Sequence, residues 1–181
     1  NYTKQVYEYD EDYFDTSEKL YMWYNGEWLI TKAFFYTWDK KENGQVFLKS
    51  YEEIDYMFDD DGKPWYNDDN VRVTMGTLLE YTYDANGYQA SQVKTIIEFG
   101  DYIPEQKDTF VNDAKGNQVE QYRYQYDGQE WQARLKALAE YDDLKREKVV
   151  ENYYWDAEWI GSEKGVHEYY GSTDKATLFE Q

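Results

Sequence analysis

The feature that most constrains this chain is a rhythm of turns. Positions 84, 113, 142 and 171 step by 29 residues, as do 10 and 39. The clearest copies are Tyr83-Asp84-Ala85-Asn86-Gly87 and Asp113-Ala114-Lys115-Gly116-Asn117; looser ones are Tyr9-Asp10, Trp38-Asp39 running to Asn43-Gly44, Tyr141-Asp142 and Tyr170-Gly171. Asp bonds the backbone two residues on and Gly accepts a positive φ, so each is a turn with a mechanism. A second kind falls between them, a Gly turn followed by an aromatic residue. Its copies are Asn25-Gly26-Glu27-Trp28, Asp61-Gly62-Lys63-Pro64-Trp65 and Asp127-Gly128-Gln129-Glu130-Trp131, with weaker members at Gly100-Asp101-Tyr102 and Asp156-Ala157-Glu158-Trp159. The turns therefore lie near 10, 26, 39, 62, 84, 100, 113, 128, 142, 157 and 171.

Between turns the residues alternate with period two, as half-buried strands do. One row is Val71, Val73, Met75, Thr77, Leu79, Tyr81 and Tyr83; another is Tyr122, Tyr124 and Tyr126; a third is Trp28, Ile30, Phe34, Tyr36 and Trp38, broken by Lys32. Connections this short make neighbouring strands antiparallel, since a parallel crossover needs about a dozen residues. Residues 132–148 are strong helix formers. Against that, Tyr141-Asp142 sits on the 29-residue offset, and Trp131, Ala133, Leu135, Ala137, Ala139 and Tyr141 form a strand face. Strand–turn–strand is preferred there, with helix as the alternative.

The predicted fold is all-β: an antiparallel up-and-down meander of about 12 strands made of five hairpin repeats. It forms one domain over residues 1–181, whose second repeat, 39–84, carries extra residues spread over both its arms. Open sheets rarely exceed about ten strands without curling. The meander is therefore expected to roll into a curled sheet or open barrel, Tyr and Trp rows inside and acidic rows outside. Rings supply the burial: the chain has 22 Tyr, 8 Phe and 7 Trp, each able to bury roughly 150–250 Å².

Tyr81-Thr82-Tyr83-Asp84-Ala85-Asn86-Gly87 resembles the opening of YD-type (Rhs-like) repeats. The alternation of Tyr-Asp-x-x-Gly with Gly-x-x-Trp over nearly the whole chain also resembles uncharacterised secreted repeat proteins of gut Bacteroidetes. The resemblance implies an extracytoplasmic, sheet-forming protein and brings no catalytic residue with it. The chain opens on Asn1 rather than Met, which reads as a processed or truncated form, with any signal peptide or lipid-anchor Cys upstream.

Charge narrows the partners. With 38 acids against 19 bases and a net charge of −19, nucleic acid and anionic membrane are repelled. No apolar run approaches the roughly 20 residues of a membrane span. Cysteine is absent and His167 is the only histidine, which disfavours zinc and Cys–His chemistry. No Gly-x-Ser-x-Gly elbow or phosphate loop is present. Among the many acids, Asp59, Asp60 and Asp61 form an oxygen-rich turn that is a candidate calcium site, although it does not fit the EF-hand spacing. No other cofactor is indicated.

Rings are the remaining candidates for binding. Trp28, Trp65, Trp131 and Trp159 each open a strand after a turn and would form a repeated row for stacking on sugar or on a protein; the alternative is that they clamp hairpins. The leading reading is a non-enzymatic extracytoplasmic binding module for an unknown glycan or surface protein. It competes with a structural envelope repeat that has no ligand, and thirdly with a carboxylate-based glycoside hydrolase. A monomer is expected, or a weak dimer through an edge strand.

Overall fold

A computed structural model describes residues 2–169 and 176–180 of the protein. It contains twelve strands: β1 (Thr3–Tyr9), β2 (Asp15–Tyr24), β3 (Glu27–Lys40), β4 (Val46–Tyr56), β5 (Thr74–Tyr83), β6 (Gln89–Glu98), β7 (Asp101–Asn112), β8 (Gln118–Tyr126), β9 (Trp131–Tyr141), β10 (Glu147–Trp155), β11 (Trp159–Tyr169) and β12 (Ala176–Glu180). They form one sheet in sequence order, β1 to β12, with no β1–β12 pair among the described residues. This is the expected up-and-down antiparallel meander, open rather than closed. The chain divides into two compact units, Asn1–Tyr81 with Val93–Glu105 and Thr82–Gln92 with Gln106–Gln181.

One five-residue turn explains most of the rhythm. The first residue's N–H donates to the fifth carbonyl, and the fourth N–H donates back to the first carbonyl. This pattern closes Asp10–Phe14, Lys41–Gln45, Asp59–Lys63, Asn67–Val71, Asp84–Tyr88, Asp113–Asn117 and Asp142–Arg146. The fourth residue always has positive φ, from Gly44 and Gly116 to the side-chain-bearing Tyr13, Asn70 and Lys145. In six of these turns the first side chain's Oδ1 accepts the N–H groups of the third and fifth residues, as Asp113 does from Lys115 and Asn117 at 2.8 and 2.9 Å. These N–H bonds hold the carboxyls of Asp113 and Asp142 below the usual carboxylate range.

Three details differ from the spacing argument. The second turn begins at Lys41, and Asp39 lies inside β3, paired with Phe47; Asn43 Oδ1, accepting from the Gln45 N–H, substitutes for the missing Asp. Asp61-Gly62 belongs to the five-residue type beginning at Asp59 rather than to the Gly–aromatic type. The extra residues of the enlarged repeat are not spread over both arms: they fill the connection 57–73, which makes two such turns in succession. The turn expected near 171 lies outside the described residues.

The helix-prone segment is strand–turn–strand. β9 pairs with β8 and with β10, and Arg146 bonds the Asp142 carboxylate through Nε at 2.8 Å. Cross-strand partners override the intrinsic propensity of residues 132–148.

Single-residue slips decide which side chains share a face. The register skips Thr31 between β2 and β3, Arg134 between β8 and β9, and Ser162 between β10 and β11. All three lie three residues after a turn-following Trp. An extra residue moves every later side chain to the opposite face. The expected row Trp131 to Tyr141 is thus two rows. Trp131 and Ala133 face with Tyr126 and Tyr124, whereas Leu135 and Ala137 face with Arg123 and Gln121. In β3, Trp28 and Ile30 likewise part from Phe34 and Tyr36. Met75, Thr77 and Leu79 stay in one row, because the β4–β5 register runs from Thr74 to Glu80 without a slip.

The rings do not form an interior. Among the described residues the fully buried apolar side chains are Ala33, Val73 and Ile97, while Trp23, Trp28, Trp65 and Trp155 are exposed. Among the described residues, rings pack on one another and take the lysines Lys4, Lys19, Lys32, Lys40 and Lys136 across their faces. Asp108, buried, accepts from Arg123 Nε at 2.8 Å and from Gln106 at 2.7 Å.

Candidate functional site

The turn-following tryptophans occupy different settings. Each of three packs on an aromatic residue at the end of the preceding strand: Trp28 on Trp23 at 5.2 Å, Trp131 on Tyr126 at 5.3 Å and Trp159 on Trp155 at 5.1 Å. Trp65 instead meets Phe99 edge-on at 6.1 Å. Such pairs clamp hairpins, yet none of the four is buried, and Trp28 and Trp65 are 38% and 43% exposed. Lys4 lies over both Trp28 and Tyr21, which covers part of that surface. Trp28 and Trp65 belong to the first unit and Trp131 and Trp159 to the second.

In the second unit the register assembles a more developed surface. Directly opposite residues of antiparallel strands share a face. One row crosses four strands as Tyr122, Lys136, Tyr153 and Gly161. The next row is Glu120, Leu138, Glu151 and Lys164. The Lys136 ammonium sits 5.6 Å from the Tyr122 ring centre and 5.5 Å from that of Tyr153. The Trp159 ring stands 6.0 Å from Tyr122, although three strand spacings amount to about 14 Å of backbone. The rings therefore lean together over this face.

The polar atoms follow the same pattern. Tyr122 Oη donates to Glu120 at 2.7 Å and Tyr153 Oη to Glu151 at 2.5 Å, each two residues back on its own strand. Lys164 Nζ pairs with Glu151 at 2.5 Å. Hydrogen bonding to these carboxylates raises the phenols of Tyr122 and Tyr153 above their ordinary range, and the Lys164 bond lowers Glu151. Gly161 leaves space at the end of the ring row, where an added Cβ would meet the Tyr153 ring at 3.6 Å. An open groove runs there, lined by Glu151, Asn152, Tyr153 and residues 161–164. The surface thus offers half-exposed rings, carboxylate acceptors and two ammonium donors. The expected Trp row does not reveal Tyr122, Lys136, Tyr153 and Gly161 as a group; the repeated Glu-x-Tyr at 120–122 and 151–153 is the sequence signal that does.

In the candidate calcium turn one carboxylate oxygen serves the turn's own backbone. Asp59 Oδ1 accepts from the Asp61 and Lys63 N–H groups at 3.0 and 2.8 Å, and Asp61 lies 3.7 Å from Lys63 Nζ. Asp59, Asp60 and Asp61 do not gather into a metal-holding group; among the described residues no three His, Cys, Asp or Glu side chains do. His167 stacks on Tyr169 at 6.4 Å. No helix of the described residues is long and apolar enough to cross a membrane.

No family model matches the chain, and no curated protein does. Solved structures similar to it include a DUF3836 family protein from Parabacteroides distasonis, 25% identical over 44% of this chain and 77% of its own, with a TM-score of 0.36. Another is a protein of unknown function from Bacteroides fragilis, 14% identical over 74% of this chain and 91% of its own, with a TM-score of 0.46.

Proposed function

We propose that this chain is a non-enzymatic, extracytoplasmic binding module whose ligand, a glycan or a surface protein, meets the ring-bearing face of the second unit. The observation that carries the reading is the Tyr122–Lys136–Tyr153–Gly161 row with Trp159 leaning over it. Half-exposed rings stack on sugar faces or anchor protein side chains, and adjacent carboxylates and ammonium groups fix orientation through hydrogen bonds. The placement outside the cytoplasm rests on the resemblance of the turn motifs to YD-type and secreted repeat proteins.

The competing reading is a structural envelope repeat, favoured by the ring pairs that clamp the hairpins at Trp28, Trp131 and Trp159. A glycan array and a panel of purified surface proteins distinguish the two. Binding that Trp159→Ala removes, with thermal stability retained, supports the module. Absence of signal for the parent protein, or binding indifferent to Trp159, favours the structural repeat.

A further inference from the structure

β1 is an edge of the sheet: among the described residues it pairs with β2 alone. It contains no Pro, and six of its seven residues are exposed, so its outer side is open. The register slip near its end leaves the extra residue, Thr16, on β2, so β1 itself runs unbroken. Tyr2 is opposite Trp23, whose N–H donates to the Tyr2 carbonyl at 2.9 Å. Antiparallel pairs alternate between those that exchange backbone bonds and those that do not. Lys4, Val6 and Glu8 therefore bond β2 through their backbones, and the N–H and C=O groups of Thr3, Gln5 and Tyr7 point outward. An unpaired edge of this kind is a template for another strand.

We propose that this edge pairs with the same edge of a second copy, the two β1 strands antiparallel about a two-fold axis at Val6. Val6 is the midpoint of Thr3–Tyr9, so only this register pairs all seven residues. Gln5 of each copy then exchanges backbone bonds with Tyr7 of the other. The same register sets Lys4 of each copy directly opposite Glu8 of the other, so the symmetry makes the contact twice.

The side chains suit that contact. Lys4, Val6 and Glu8 share one face with Tyr21, Lys19 and Ser17. Glu8 takes the Ser17 hydroxyl at 2.6 Å and Lys19 Nζ at 2.9 Å, both on Oε2. Among the described residues its Oε1 accepts no hydrogen bond. Lys4 Nζ lies 4.5 and 5.2 Å from the ring centres of Tyr21 and Trp28 and meets no carboxylate among the described residues. Its flexible four-carbon stem reaches a directly opposite residue, whose Cβ lies about 4.5–5.5 Å away. Lysine on an edge guards it against pairing; in this register each Lys4 is answered by a carboxylate. The net charge of −19 on each copy opposes association, and physiological salt screens exposed charges beyond about 8 Å. This contact belongs to the first unit and does not depend on the ring-bearing face of the second.

Sedimentation velocity of the full chain in about 0.15 M salt, with concentration raised to about 1 mM, tests it. The expected result is a monomer–dimer equilibrium with no larger species. Lys4→Glu should weaken the dimer by about tenfold or more, because both symmetric contacts then set Glu against Glu. An equimolar mixture of Lys4→Glu and Glu8→Lys chains should pair with each other, and the double variant with itself. Gln5→Pro removes an outward N–H that β2 does not use, so it should abolish the dimer with far-UV circular dichroism retained. A monomer throughout, a Lys4→Glu dimer as tight as the parent's, or assembly that grows beyond two copies would each overturn the proposal. Should Gln5→Pro fail to fold, the charge exchange between Lys4 and Glu8 decides it.

Discussion

Gly76→Ala should be among the most damaging single-methyl additions to this chain. Gly76 lies in β5 opposite Ile54 of β4. A Cβ built there falls 2.0 Å from the Glu53 carbonyl oxygen, 3.1 Å from its carbonyl carbon and 3.2 Å from Ile54 Cα. Close carbon–oxygen contacts settle near 3.3 Å, so the strands must separate locally by roughly 1.3 Å. That opening breaks one or two ladder hydrogen bonds, about 1 kcal/mol each. It adds repacking strain of about 1–3 kcal/mol, against a gain of about 0.4–1 kcal/mol from the stiffer unfolded chain. The net loss is on the order of 3 kcal/mol, which for a chain of this length lowers the melting midpoint by roughly 6–12 °C. Near-UV circular dichroism against temperature reads it directly. Gly161→Ala is the control, because its Cβ would meet Tyr153 at an ordinary 3.6 Å. A Gly76→Ala midpoint within about 2 °C of the control would refute the close approach of β4 and β5.

Tyr13→Gly should stabilise the protein. Tyr13 holds φ at 66° in the first five-residue turn with its ring in solvent; releasing strain of about 1–2 kcal/mol outweighs Gly's entropy cost of about 0.5–1 kcal/mol, and urea unfolding measures the gain. Alkaline pH should unfold the protein as its high-pKa phenols are forced to ionise. The hydrogen bond to Glu52, then burial, pushes Tyr102 up to about 12, and burial, then Glu53, raises Tyr51. An unfolded tyrosine ionises near pH 10, so this stabilisation is complete below about pH 10 and disappears as pH climbs toward 12. Absorbance at ~295 nm, the phenolate band, should show these groups ionising with unfolding, and Tyr102→Phe should flatten the pH dependence. Calcium and EDTA should leave the melting midpoint unchanged, since Asp59 Oδ1 already serves two backbone N–H groups; a rise with calcium would restore the metal reading of Asp59–Asp61.

Much of the fold was legible because turn chemistry is local. Asp84 and Asp113 bond N–H groups two and four residues away, so their motifs can be seen without a partner strand. The same local signal identified the turn at Asp142 inside a stretch of strong helix formers. It failed at Lys41, where Asn43 does the capping, and at the 57–73 connection, where Asn67 in place of Asp hid a second turn.

The slips at Thr31, Arg134 and Ser162 were not legible. Thr31 and Ser162 each donate a hydroxyl to the partner-strand carbonyl at the slip, of Leu20 and Asn152, but Arg134 has no hydroxyl, and a slip is defined only against the neighbouring strand. Every row drawn across one was therefore assigned to the wrong face beyond it. The candidate binding face was hidden for the same reason. Tyr122, Lys136, Tyr153 and Gly161 come from four strands and meet only once the register is known.

The most direct measurement of the binding claim is a two-dimensional NMR titration that follows the seven tryptophan indole N–H signals against each ligand retained on the array or panel. The expected result is displacement of Trp159 first, with Trp131 and Trp155, while Trp28 and Trp65 stay in place. Displacement confined to Trp28 and Trp65, or indole signals that no ligand moves, would contradict a binding face built on Tyr122, Lys136, Tyr153 and Gly161.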